Sequence, residues 1–179
     1  MTGDGSIMSR KKIFMCIVLI IIILYGVLQI FVPLGPNADE IYRMVSKLYG
    51  VSFDYVNKVM GEPSRIIPGQ HPRYIWTIKS IEHSSSGSFI ECLFQQECCV
   101  AVLYVEVHYS SNDISKRYAR LLSDFTKKFG KNIISSQNNS NWFQGNKELS
   151  LRQRFPKNRN DSALYFIIKN KDLVLSDII

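Results

Sequence analysis

"CCVAVLYVEVHY", residues 98–109, is the stretch whose reading decides the fold. Its odd positions, Cys99, Ala101, Leu103, Val105, Val107 and Tyr109, are apolar or aromatic, and its even positions include Glu106 and His108. A period of two belongs to a β-strand, whose successive side chains point to opposite faces. The alternation therefore predicts a sheet with the odd face buried and the even face, with the Glu106/His108 pair, in solvent. Just upstream, SFIECLF (88–94) reads as a second strand, joined to the first by a short loop centred on Gln95-Gln96. That register sets Cys92 opposite Cys99, near enough for a cross-strand disulfide, and leaves Cys98 free on the other face. A three-residue loop would set Phe94 opposite Cys98 instead. The sharper alternative is a zinc site completed by His83 or His108, but C-x5-C-C matches no familiar zinc spacing.

Working outward, the hairpin is flanked by helices. DEIYRMVSKLY (39–49) carries Ile41, Met44, Val45 and Leu48 on one stripe, and Gly50 ends it. Ser52 is an N-cap for a short second helix through Val56 and Met60, stopped by Gly61-Glu62-Pro63. RYIWTIKSI (73–81) alternates as a strand does. Downstream, DISKRYARLLSDFTKKF (113–129) is the clearest helix, with Ile114, Tyr118, Leu121, Leu122, Phe125 and Phe129 in phase and Gly130 as its stop. Strands follow at 132–136, around Trp142-Phe143, at 147–155 and at 163–169. The order thus restarts: Val56, Met60 and Gly61 align with Phe125, Phe129 and Gly130, and each glycine is followed by a tryptophan, Trp76 or Trp142. The fold class expected is α+β: two helix-plus-antiparallel-meander units, 39–110 and 111–175.

GVSFDYVNKVMGEP (50–63), followed by Tyr74-Ile75-Trp76 and the long strand at 99–109, resembles the BamE-like (SmpA/OmlA) domain. Met60 stands where that family usually has Leu. A tandem of such units is similar to the β-lactamase-inhibitor-protein fold. The resemblance implies binding to other proteins and no catalysis. BamE-like lipoproteins carry a lipidated cysteine, and here a greasy segment occupies the N-terminal region instead.

That segment is KKIFMCIVLIIIILYGVLQIFV, residues 11–32. From 13 to 32 its one strong polar side chain is Gln29, and Cys16 is a small apolar filler. At about 1.5 Å per residue the run reaches about 30 Å, and it is longer than the apolar region of a cleaved signal. Arg10, Lys11 and Lys12 precede it. The expectation is a single-pass inner-membrane protein: a cytoplasmic tail at 1–12, a transmembrane anchor at 13–32, a linker at 33–38 and a periplasmic domain beyond.

Charge is uneven. Residues 33–109 carry 6 Lys/Arg against 8 Asp/Glu, and residues 110–171 carry 13 against 4. The basic half predicts a protein partner with an acidic surface. A rival reading is a binder of anionic lipid headgroups or cell-wall polymer through Lys116, Arg117, Arg120, Lys127, Lys128 and Lys131, the first five assigned to the polar side of helix 113–129. No nucleic-acid motif, phosphate loop, nucleophile elbow or metal spacing occurs, so no enzyme activity, cofactor, metal or small-molecule substrate is expected. The three histidines are His71, His83 and His108. Of these, His108 with Glu106 could form an acid/base dyad, though polar decoration of a strand is the commoner use. Candidate partner-binding residues are Trp142, Phe143, Arg152 and Arg154 on strands, with Lys127 and Lys128, since aromatics and arginine dominate protein interfaces. The function expected is non-covalent protein binding, as an inhibitor or immunity protein or as an accessory subunit of an envelope complex.

Overall fold

In the computed structural model of this chain, Asn37 opens the first helix of the sheet-bearing unit. Its side chain accepts from the Glu40 amide at 2.9 Å and Glu40 returns a bond to the Asn37 amide at 2.9 Å, a reciprocal cap. Helix α1, Ala38–Leu48, then turns Ala38, Ile41, Val45 and Leu48 inward. Ser52 caps α2, Phe53–Met60, and Gly61 ends it. Helix α3 is Ser111–Phe129. The structure describes residues 14–15, 17–23, 35–69, 71–79, 86–108, 111–155 and 162–174. The tail 1–12, Cys16, His83, Tyr109 and the loop 156–161 lie outside them.

Two compact units are present, Met1–Pro36 and Asn37–Ile179. In the first, residues 14–15 and 17–23 are helical. No helix of the described residues is long and apolar enough to cross a membrane; a span needs about 20 residues. This finding overturns the transmembrane anchor at 13–32, and with it the single-pass inner-membrane placement and the periplasmic location inferred from it.

In the second unit the strands are β1 (Arg65–Ile67), β2 (Arg73–Lys79), β3 (Ser86–Gln95), β4 (Cys98–His108), β5 (Ile134–Ser136), β6 (Asn139–Gln144), β7 (Lys147–Arg154) and β8 (Ser162–Asn170). All pair antiparallel in one eight-stranded sheet of order β1-β2-β3-β4-β8-β7-β6-β5. Each half is a four-strand meander, and the two join where their last strands meet. The α+β class holds.

The two halves correspond down to individual atoms. The amides of Gly61 and Gly130 donate to Asn57 and Thr126, at 2.8 and 3.0 Å. Both glycines have positive φ, 78° and 82°. Three residues on, the amides of Ser64 and Ile133 donate to Ile75 and Asn141, at 2.8 and 3.1 Å. The next side chains, Trp76 and Trp142, send their indole N–H to the Gly61 and Gly130 carbonyls, at 2.8 and 2.9 Å. Each tryptophan thus ties the end of a helix to the second strand of its meander. A methyl group at Gly61 or Gly130 would meet open space, so only backbone strain opposes it. Gly61→Ala and Gly130→Ala should therefore each cost about 1 kcal/mol in urea unfolding; a neutral result at either site would remove the conformational argument.

Both faces of β4 are buried, against expectation. The helices cover the even face: Val102 and Tyr104 join Ile90, Cys92, Trp76, Trp142, Leu149, Leu151, Leu164 and Phe166 beneath Ile41, Val45, Ile114, Leu121 and Phe125. Glu106 and His108 lie on this covered face, not in solvent. The odd face forms a second cluster, Leu93, Ala101, Leu103, Val105 and Ile167, with Phe89, Val107, Tyr165 and Leu173 against it. The physical reason is packing on both sides: the helices cover the even face, while on the odd face apolar side chains of the neighbouring β3 and β8, with Leu173 beyond β8, close over Ala101, Leu103 and Val105.

The β3–β4 hairpin turns one residue later than expected. Gln96 and Glu97 form the turn, both at positive φ (50° and 66°), and pairing starts with Gln95↔Cys98 and Phe94↔Cys99. A bulge after Leu93 then sets Cys92 opposite Val102. Cys92 is therefore not the strand partner of Cys99, but its thiol is hydrogen-bonded to that of Cys99, so the two expected bridge residues do meet; Cys92, Cys98 and Cys99 are free thiols here. The start of β4 also binds the link between the first two helices: Gly50 N–H donates to the Cys99 carbonyl at 2.8 Å and Cys99 N–H to Val51 at 2.9 Å.

Candidate interaction surface

The sheet face away from the helices gathers several of the singled-out residues. Alternation on β6 sends Trp142 to the helix side and Asn139, Asn141 and Phe143 to the other. On β7, Leu149 and Leu151 face the helices, and Glu148, Ser150, Arg152 and Arg154 face away. The register places Asn139 opposite Arg152, Asn141 opposite Ser150 and Phe143 opposite Glu148. One patch on β6–β7 thus holds Phe143 (39 % exposed), half-buried Arg152 and exposed Arg154.

Its polar atoms are incompletely matched. Asn139 Oδ1, Asn141 Oδ1 and Arg152 Nε are buried and lack a hydrogen-bond partner. Asn141 as a residue is only 7 % exposed.

Further along this face two ion pairs flank the apolar cluster. Arg73 Nη1 lies 3.1 Å from Glu91 Oε1. Burial raises the Glu91 pKa above the ordinary carboxylate range, against the opposing pull of Arg73. Lys169 Nζ contacts Glu148 Oε2 at 2.8 Å and donates to the Leu173 carbonyl at 2.8 Å, drawing the turn after β8 against the sheet.

The other candidates lie elsewhere. Trp142 is 2 % exposed and bonded to Gly130, so it is a core residue and not an interface anchor. Lys127 is exposed on α3. Lys128 bonds Asp39 at 2.6 Å and lies 5.0 Å from the centre of the Tyr42 ring, tying α3 to α1. Neither shares the β6–β7 patch. Arg117, assigned from the sequence to the polar side of its helix, is 2 % exposed. It grips Glu106 with Nε at 3.0 Å and Nη2 at 2.7 Å.

Glu106 also accepts from the Tyr104 hydroxyl at 2.9 Å, and His108 Nε2 lies 3.2 Å from its other oxygen. Burial would raise the Glu106 pKa, but the bonds from His108 and Arg117 and the guanidinium charge prevail and lower it. Glu106 and His108 do share a face, as expected. With both Glu106 oxygens committed to the chain's own donors, the group acts as a clamp between β4 and α3. Among the thiols, the hydrogen bond with Cys99 and burial hold Cys92 far above the ordinary thiol range, so it is a poor nucleophile. Among the described residues no group of three or more His, Cys, Asp or Glu could hold a metal ion.

Asn139 and Asn141 were not singled out from the sequence. SQNNSN, residues 136–141, reads as a polar loop before the strand around Trp142-Phe143, and only the pairing shows that these asparagines are strand residues on the Arg152 side. No family model, curated protein or solved structure matches the chain.

Proposed function

We propose that this chain is a non-catalytic protein-binding module that engages an acidic partner through the β6–β7 patch, as an inhibitor or accessory protein does. The observation that carries this reading is the grouping of exposed Phe143 and Arg154 with half-buried Arg152 on one face of β6–β7. An acidic protein segment offers a carboxylate for the guanidinium groups and apolar surface for the Phe143 ring. The basic charge of residues 110–171 favours an acidic segment and speeds its approach. The architecture adds support, because two helix-plus-meander units in one sheet are what the likeness to BamE-like domains and to the β-lactamase-inhibitor-protein fold implies.

The test is affinity capture at low and high salt with the wild type and with a Phe143→Ala/Arg154→Glu variant, both substitutions at exposed positions. The expected result is an acidic partner whose affinity falls at least about thirtyfold in the variant, with thermal stability nearly unchanged. An unchanged partner set in the variant, or capture indifferent to ionic strength, would rule the patch out.

A further inference from the structure

A cavity lies in the first half of the sheet, away from the β6–β7 patch and independent of it. It holds about 620 Å³, within the range of about 300–1,000 Å³ typical of ligand sites. Three aromatic rings form its apolar wall: Phe53 from the first turn of α2, Tyr74 from β2 and Phe94 from β3. Their centroids lie 4.6 Å (Phe53–Tyr74), 5.5 Å (Phe53–Phe94) and 5.4 Å (Tyr74–Phe94) apart. Asp54 and Glu97 stand at its rim. Both are exposed, and among the described residues neither forms an ion pair.

Charge decides what such a cavity takes. Among the described residues no Lys or Arg lines this cavity; its other ionisable lining groups are His71 and the Tyr74 phenol. The N-terminus of α2 contributes partial positive charge, but Asp54 lies in that first turn and offsets it. Glu97 is held at the mouth by a turn of two non-glycine residues in the left-handed region, where asparagine and glycine are usual. Aromatic faces attract cations, and carboxylates at the rim add to that attraction.

We propose that this cavity binds an arginine side chain presented by a peptide segment, with the guanidinium against the Phe53, Tyr74 and Phe94 rings and bonded to the Asp54 and Glu97 carboxylates. Guanidinium suits the site because its plane stacks on rings while its edge donates to carboxylates. The volume leaves room for flanking peptide as well as the side chain.

Titration of the full chain with acetyl-Gly-Arg-Gly-amide, followed by calorimetry and by chemical shifts of the Tyr74 ring, tests the assignment. The same peptide with citrulline keeps the shape and removes the charge. Binding is expected to weaken at least about tenfold with citrulline, and equally in Asp54→Asn and Glu97→Gln. Both substitutions are at exposed positions, and unchanged melting curves will show that the variants remain folded. No binding at about 5 mM peptide, or equal binding of the citrulline peptide, overturns the proposal. Free arginine amide binding as tightly as the peptide overturns the peptide source and leaves a small-molecule site.

Discussion

Arg117→Ala is expected to cost about 3–5 kcal/mol, a large share of the about 5–15 kcal/mol that keeps a domain folded. The loss comes less from the missing attraction than from what remains: the Glu106 carboxylate, 4 % exposed, with its cation gone. The Tyr104 hydroxyl and His108 cannot replace two charged donors at 2.7 and 3.0 Å. A companion variant separates the two causes. Arg117→Met combined with Glu106→Leu removes both charges and keeps bulk, and should recover most of the stability. The sign of the pH dependence distinguishes them further. In the wild type the Glu106 pKa is lowered below its ordinary 4.5, so its stabilisation is present above about pH 4.5 and is lost as pH falls through the lower folded value. In Arg117→Ala the guanidinium no longer opposes burial and the Glu106 pKa rises from its wild-type position, so the variant should lose less stability on acidification than the wild type does. Urea unfolding at neutral and mildly acid pH reads both; an Arg117→Ala protein within about 1 kcal/mol of the wild type would refute the clamp.

Trp142→Ala should cost about as much, about 3–5 kcal/mol. The indole lies 6.0 Å from Phe125 and 6.1 Å from Phe129, with Phe125 stacked on Phe166 at 4.3 Å. Removing it opens a cavity under α3 and frees the Gly130 carbonyl. Trp142→Phe keeps most of the packing and loses the indole donor, which should cost about 1–2 kcal/mol. If the two halves are built alike, Trp76→Phe should lose a similar amount. Denaturant unfolding monitored by circular dichroism measures all three, and a Trp142→Ala protein of wild-type stability would show that the repeated tie is ornamental.

Much of the secondary structure was legible because it rests on local chemistry. The stripe Ile114, Tyr118, Leu121, Phe125 marks α3, and it is the side that packs. The glycine stops and the tryptophans that follow them announced the repeat. What local pattern could not show was pairing across distance. Glu106 and His108 look like a solvent face until a cation arrives from another element, and Arg117 supplies it. The signal existed: Arg117 stands three residues after Ile114 and four before Leu121, on the buried stripe. A charge at such a position is evidence for a buried partner. The hairpin register slipped by one residue because Gln96-Glu97 carries none of the usual turn residues, and with the bulge after Leu93 it takes Cys92 out of the strand position opposite Cys99, although the two thiols still meet. Strand β1, three residues long, is too short for any period to show. The greasy run at the N-terminus is the opposite case: composition alone suggested an anchor, and the helix of the described residues there is too short for one.

The strand order sets how the protein tolerates damage to its ends. Strand β8, the last of the described strands along the chain, does not lie at a margin of the sheet; it is the seam between β4 and β7. A ribosome that stopped near residue 161 would release a chain lacking the middle of its architecture. The earlier meander would then present β4 as a raw border, and the later one would have nothing to join. Completeness at the C-terminus is therefore a condition for the two halves to become one object.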